Sequence, residues 1–251
     1  LNTATSQLKF TAAPTLVPAT TGILARLIVG GNEFATYTAA NGIVPFSGYA
    51  TASNILSVTP TQTFKATPST LNSLGGSQTI NALTLDNINS TVAVGGIGGN
   101  PPVTLTITSG AILAKSSGTG TQSYLNVPII AFGAEGLIHV QSGQTLDVTS
   151  AMTGTAGLTK ALNGTLNLNA QQFISGSTII NGGTVNLSST VTNTLLFNNG
   201  VAVKTPKDYQ DAVAAAITGG KKDVVARVGC GNQQRCGDLT VLRPIEIAPA
   251  E

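Results

Sequence analysis

Short strands of alternating apolar and polar residues return along the middle of this chain at nearly constant spacing. No other feature limits the fold as much. The strands read ALTLD at Ala82–Asp86, VTLTIT at Val103–Thr108, TLDVTS at Thr145–Ser150, TLNLN at Thr165–Asn169 and TVNLSS at Thr184–Ser189. Leu146, Leu166 and Val185 are 20 and 19 residues apart, Leu83 and Leu105 are 22 apart, and Leu105 and Leu146 are 41 apart, or two such steps. A period near 20 with one alternating strand per step is the signature of a solenoid. Apolar residues on one side and Thr, Asn and Asp on the other give the period of two of a half-buried strand. A sandwich would need hairpin turns and would tolerate varied spacing. Like strands stacked in parallel instead turn equivalent Leu and Val residues into interior ladders. The inward residues expected here are Leu146, Leu166, Leu168, Val185 and Leu187. AILAK at Ala111–Lys115, LIHV at Leu137–Val140 and STII at Ser177–Ile180 fit the same coil, for six or seven rungs. The fold class is all-β, a single-stranded parallel β-helix.

The stretch GLTKALNGTLNLNAQQFISGSTIINGGTVNLSS, Gly157–Ser189, resembles the autotransporter-associated β-strand repeat. That family strings together Gly-Leu-Thr-Lys, Gly-Thr-Leu-x-Leu and Thr-x-Ile-x-x-Gly-Thr-Val/Leu-x-Leu. Here these are Gly157–Lys160, Gly164–Leu168 and Thr178–Leu187. With INALTLDN at Ile80–Asn87 and VTLTITSGAILA at Val103–Ala114, the likeness covers roughly residues 71 to 190. It implies a right-handed parallel β-helix stalk of a secreted bacterial surface protein. It implies architecture and location more than activity. Family passengers usually precede a membrane barrel. None is recognisable here, so a removed barrel or another export route is expected, and the start at Leu1 suggests a processed chain.

Composition narrows the function classes. Charged residues are 9% of 251, against about 25% in an ordinary soluble domain. The formal net charge is +2. The first 200 residues carry only Lys9, Arg26, Lys65, Lys115 and Lys160 as bases, too few to displace counterions from a polyanion. No nucleic-acid partner is expected. No stretch reaches the roughly 18 apolar residues needed to cross a bilayer, so the chain is not expected to span a membrane. One His leaves too few nitrogen ligands for a histidine-based metal site to be expected, and no cofactor is expected.

Three regions are expected. Residues 1–70 form an N-terminal β segment or cap, with the Pro- and Thr-rich TPTQTFKATPST at 59–70 as a connector. Residues 71–200 hold the parallel β-helix repeats. Residues 201–251 form a small α+β capping or assembly module, which carries seven of the twelve basic residues. Its helix would start at Pro206 with Thr205 as N-cap, bury Tyr209, Val213 and Ile217, and stop at Gly219–Gly220. Cys230 and Cys236 flank the polar GNQQR. A small disulfide loop is expected over free thiols or a metal site, and it would imply an oxidising compartment.

No catalytic constellation stands out. His139 lies in a strand with only a generic Ser142 nearby, and a general base needs a nucleophile and an orienting acid. The central acids are Asp86, Glu135 and Asp147. Three rungs would hold Asp86 and Asp147 roughly 14 Å apart, beyond the ~5–9.5 Å of glycosidase pairs. Glu135 and Asp147 lack aromatic platforms in their own rungs. GGIGGN at Gly95–Asn100 has no following helix to hold a phosphate. The expected function is a non-catalytic extracellular structural or adhesive β-helix on a bacterial surface. Its partners would be glycans, a host or neighbouring cell, or further copies through the termini. The alternatives are a self-assembling subunit of a surface layer or fibre, and a carbohydrate-active enzyme, which the acid spacing disfavours.

Overall fold

The computed structural model describes residues 7–188 apart from 20, 71, 99 and 100. The Cys230–Cys236 pair and the helix expected at Pro206 lie outside the described residues. Three strands open the described chain: β1 (Leu24–Val29), β2 (Glu33–Thr38) and β3 (Gly42–Pro45). They form an antiparallel sheet in the order β1-β2-β3. The chain then coils. The first turn holds β4 (Thr63–Ala66), β5 (Ser73–Leu74) and β6 (Gln78–Ile80). The second holds β7 (Ala82–Asp86), β8 (Val92–Gly96) and β9 (Thr104–Ile107). The third holds β10 (Ala111–Lys115), β11 (Gln122–Asn126) and β12 (Ile129–Phe132). The fourth holds β13 (Gly136–Val140), β14 (Thr145–Val148) and β15 (Ala151–Gly154). The fifth holds β16 (Leu158–Ala161), β17 (Thr165–Leu168) and β18 (Phe173–Ile174), and the sixth begins with β19 (Thr178–Ile180) and β20 (Thr184–Leu187).

Every third strand stacks in parallel on its counterpart, so the coil has three faces. The first sheet runs β4-β7-β10-β13-β16-β19, the second β5-β8-β11-β14-β17-β20, and the third β6-β9-β12-β15-β18. This is an all-β parallel solenoid of about six turns. Registers are even, as in Leu146↔Leu166↔Val185 and Val148↔Leu168↔Leu187. Leu146, Leu166 and Leu168 are buried, and Val185 and Leu187 pack half-buried against the same core. Leu83 and Leu105 do not join that ladder. Leu83 sits in the first sheet, Leu105 in the third and Leu146 in the second. Spacings of 22 and 41 residues between them are steps around a corner, not along one column.

Alternation explains the core. One face of each strand supplies Phe64, Leu83, Ile112 and Ile138 in register from the first sheet. Leu105, Ile130 and Met152 come from the third. The corners are held by buried amides. The Asn87 amide donates to Gln144 Oε1 at 2.7 Å, Ser123 Oγ donates to Asn87 Oδ1 at 2.8 Å, and Gln144 Nε2 donates to the Gly120 carbonyl at 3.0 Å. The chain reverses there without leaving buried polar groups unpaired.

The N-terminal region takes two positions. Ile55 and Val58, in and after a short 3-10 turn, pack into the solenoid core, and the Ala50 N–H donates to the Thr63 carbonyl at 2.9 Å. The antiparallel sheet β1-β2-β3 lies on the flank instead. Its Phe34, with Ile23 just before β1 and Phe46 just after β3, meets Ala82, Ala111, Leu113 and Leu137, the outward residues of β7, β10 and β13. Those three strands are therefore buried along their whole length on both faces.

Candidate functional site

The flank seam gathers most of the charge of the described chain. Lys115 stands at the end of β10, in register with Asp86 at the end of β7. Its ammonium lies 3.3 Å from Asp86 Oδ2 and also donates to Glu33 Oε1, which β2 brings from the N-terminal sheet. Lys65 on β4 reaches the same Glu33 oxygen at 3.5 Å and stands 4.0 Å from the centre of the Tyr49 ring. The Tyr49 hydroxyl donates to Glu33 Oε2 at 2.5 Å. Burial, with the Glu33 carboxylate beside it, pushes the Tyr49 hydroxyl far above its ordinary range. Burial alone would raise Asp86. The Ser117 N–H and hydroxyl, both at 2.9 Å, the Ile88 N–H and the Lys115 charge outweigh it and hold the carboxyl below its ordinary value.

His139 points outward from β13 under the N-terminal sheet. It is 4% exposed, and Nε2–H donates to the Ala25 carbonyl of β1 at 3.0 Å. Phe34 meets the imidazole edge-on, with ring centres 6.2 Å apart. Nδ1 is buried without a hydrogen-bond partner among the described residues. Burial lowers the imidazole's pKa, and the Lys160 charge lowers it further against the opposing pull of the Ala25 carbonyl. Nearby, Arg26 of β1 pairs with Glu135, which also accepts from the Thr159 hydroxyl.

Lys160 has no counterpart elsewhere in its column. It points inward from β16, in register with Ile138 before it and Ile180 after it. Its ammonium donates to the carbonyls of Leu162 at 2.5 Å, Gly164 at 2.6 Å and Gly182 at 2.8 Å. Burial pushes the amine down to about 8. Gly183 makes room for it. At φ +69° the residue is left-handed, and a Cβ there would fall 2.2 Å from the Gly164 carbonyl oxygen and 2.4 Å from Lys160 Nζ.

The second sheet turns a different surface outward. Tyr124, Asp147, Asn167 and Asn186 form one column, each in register with the next. Asp147 accepts from Gln122 Nε2 at 2.6 Å, Asn167 Nδ2 at 2.7 Å and Asn169 Nδ2 at 3.5 Å. Asn186 Nδ2 donates to Asn167 Oδ1 at 2.9 Å. Thr145, Thr165 and Thr184 run parallel to the column. At the N-terminal end the column meets Ala93, which helps line a shallow groove of about 360 Å³ with Pro68, Thr70, Asn72 and Thr91.

Chain order hides these groupings. Asp86 and Asp147 belong to different sheets, so a distance along one column does not describe them. The turn that holds Asp147 carries no Phe, Tyr or Trp of its own, and register places Tyr124 beside Asp147 from one turn back. His139 is a strand histidine satisfied by the covering flank sheet through the Ala25 carbonyl. The expected metal-free character concerns residues that the structure describes only in part. Among the described residues no group of three His, Cys, Asp or Glu side chains could hold a metal ion. Among them, too, no helix is long and apolar enough to cross a membrane. Comparison with protein-family models, with curated proteins and with solved structures finds no match. The class defined by the fold is the parallel β-solenoid, to which residues 157–188 of the repeat-like stretch conform.

Proposed function

We propose that this chain is a non-catalytic, extracellular structural or adhesive β-helix of a bacterial cell surface, right-handed as the resemblance of Gly157–Ser189 implies. One observation carries the reading. Glu33, Asp86, Lys115, His139 and Lys160 are all engaged in holding sheets or turns together, while the long outer face of the second sheet presents hydroxyls and amides. A stack of like turns makes a rod with repeated side faces, which suits weak multivalent attachment. A closed Cys230–Cys236 loop and a C-terminal α+β cap belong to the same reading. Intact mass should then rise by two hydrogens on reduction.

The test uses the full chain. Surface proteolysis of producing cells should remove it, and beads coated with it should attach to bacterial or host cells more than albumin-coated beads do. Protection from external protease together with attachment at the albumin level would overturn the reading. Light scattering separates this reading from the self-assembling subunit, which would grow with concentration into a fibre or sheet.

A further inference from the structure

The three sheets do not offer equal surfaces. The first is covered on β7, β10 and β13 by the N-terminal sheet. The third turns out short side chains, with Thr79, Thr106, Ala131 and Thr153 in one column and Phe173 at its end. No described element covers the second, which carries the amide, carboxylate and tyrosine column described above. None of its described outward residues is Lys or Arg.

We infer that the outer face of the second sheet is a carbohydrate-binding strip for an extended, neutral glycan laid along the solenoid axis, from the Ala93 groove past Tyr124 to Asn186. The inference rests on the adhesive reading and gives it a site and a ligand class. Hydrogen-bond chemistry selects the ligand. Amides and hydroxyls both donate and accept, as sugar hydroxyls do. Among the described residues this face offers a polyanion no Lys or Arg, and its one carboxylate, Asp147, is nearly buried beneath its amide partners. An apolar peptide would find one aromatic ring. The Tyr124 ring offers a flat apolar face to the C–H side of a pyranose while its hydroxyl stays polar. The carboxylate of Asp147 holds the amides of Gln122, Asn167 and Asn169 in place before any ligand arrives, so little side-chain freedom is lost on binding. Repetition matches as well. Successive rungs are about 4.8 Å apart, close to the advance per sugar of an extended β-linked chain. Successive sugars therefore meet successive members of the column.

The experiment measures binding of the full chain to immobilised cello-oligosaccharide, β-mannan and xylan, with heparin and polygalacturonate as charged counterparts. Binding to at least one neutral polysaccharide is expected, insensitive to added salt. It should weaken about tenfold or more in Tyr124→Ala and in Asn167→Ala, a loss of about 1.4 kcal/mol each. Melting temperatures should stay near that of the unaltered chain, and Thr106→Ala on the third sheet should leave binding unchanged. Binding to no neutral polysaccharide, to charged ones alone, or untouched by both substitutions would overturn the strip. Bead attachment to cells, run in parallel, keeps the two readings apart. Attachment that persists without glycan binding overturns the strip and spares the adhesive function. Loss of attachment as well overturns the strip and the adhesive role, and leaves the structural role to the protease test.

Discussion

Lys160 stands where the preceding turns place Ile112 and Ile138. A buried ammonium is costly unless each donor is met, and here three turn carbonyls meet it. Lys160→Ala should destabilise the chain by about 3 kcal/mol, because it opens a cavity and strands three acceptors. Lys160→Met, which refills the volume without the donors, should recover only part of this, as urea unfolding would show. His139 sets a pH window. Its folded pKa lies below the ordinary value of 6.5, so the unfolded chain binds more protons below that pH. Its contribution is therefore complete above pH 6.5 and lost as pH falls toward the folded pKa. The groups that face it are the Ala25 carbonyl, the Phe34 edge and the Lys160 charge, none of which stabilises an imidazolium Nδ1–H. Melting temperature should drop between pH 7 and pH 5. His139→Gln, which keeps a donor for Ala25 without titrating, should flatten that drop. The contribution of Asp86, whose carboxyl is held low, is lost only at more acid pH.

At the scale of elements, two kinds of contact hold different parts together. Within the coil, stacked side chains do the work. Leu166 lies between Leu146 and Val185 in one ladder, and Leu166→Ala should cost about 2–4 kcal/mol through the void it leaves. Equilibrium unfolding would measure it, and a cost under about 1 kcal/mol would contradict an inward ladder position. Between the N-terminal sheet and the coil, an apolar patch and a charged seam act together. Glu33 is the only carboxylate that the seam receives from β2, and it faces both Lys65 and Lys115. Glu33→Ala should leave the nearly buried Lys115 with Asp86 alone and cost about 2 kcal/mol, less than a fully buried pair because Glu33 is one-fifth exposed. The loss should appear as early cleavage near β1–β3 in limited proteolysis, before the coil is cut.

Over the whole molecule, stability should vary along the axis. A solenoid turn touches only its neighbours, so opening is local unless another layer bridges turns. The N-terminal sheet bridges β7, β10 and β13. Their amides should exchange with solvent hydrogen most slowly. Those of β19, half-exposed, should exchange faster by an order of magnitude or more. Uniform protection from the first turn to the sixth would contradict this gradient.

The sequence by itself determined the local grammar. Alternation marked which strands would be half-buried, and return at a near-constant interval required that like strands stack, since each is too short to bury its apolar side alone. The repeat motif around Gly157–Ser189 was legible because two consecutive turns there have nearly equal length. Earlier turns differ in loop length, so spacing alone set Leu83, Leu105 and Leu146 in one series although they occupy three faces. Only the tertiary structure decided which face each strand joined, because pairing is settled by register between residues far apart in the chain. It also decided that β1–β3 would lie on a flank, where an outward apolar patch needed cover and Glu33 meets Lys65 and Lys115. The polar column has the same origin. Tyr124, Asp147, Asn167 and Asn186 are ordinary residues in the chain, and stacking alone makes them neighbours.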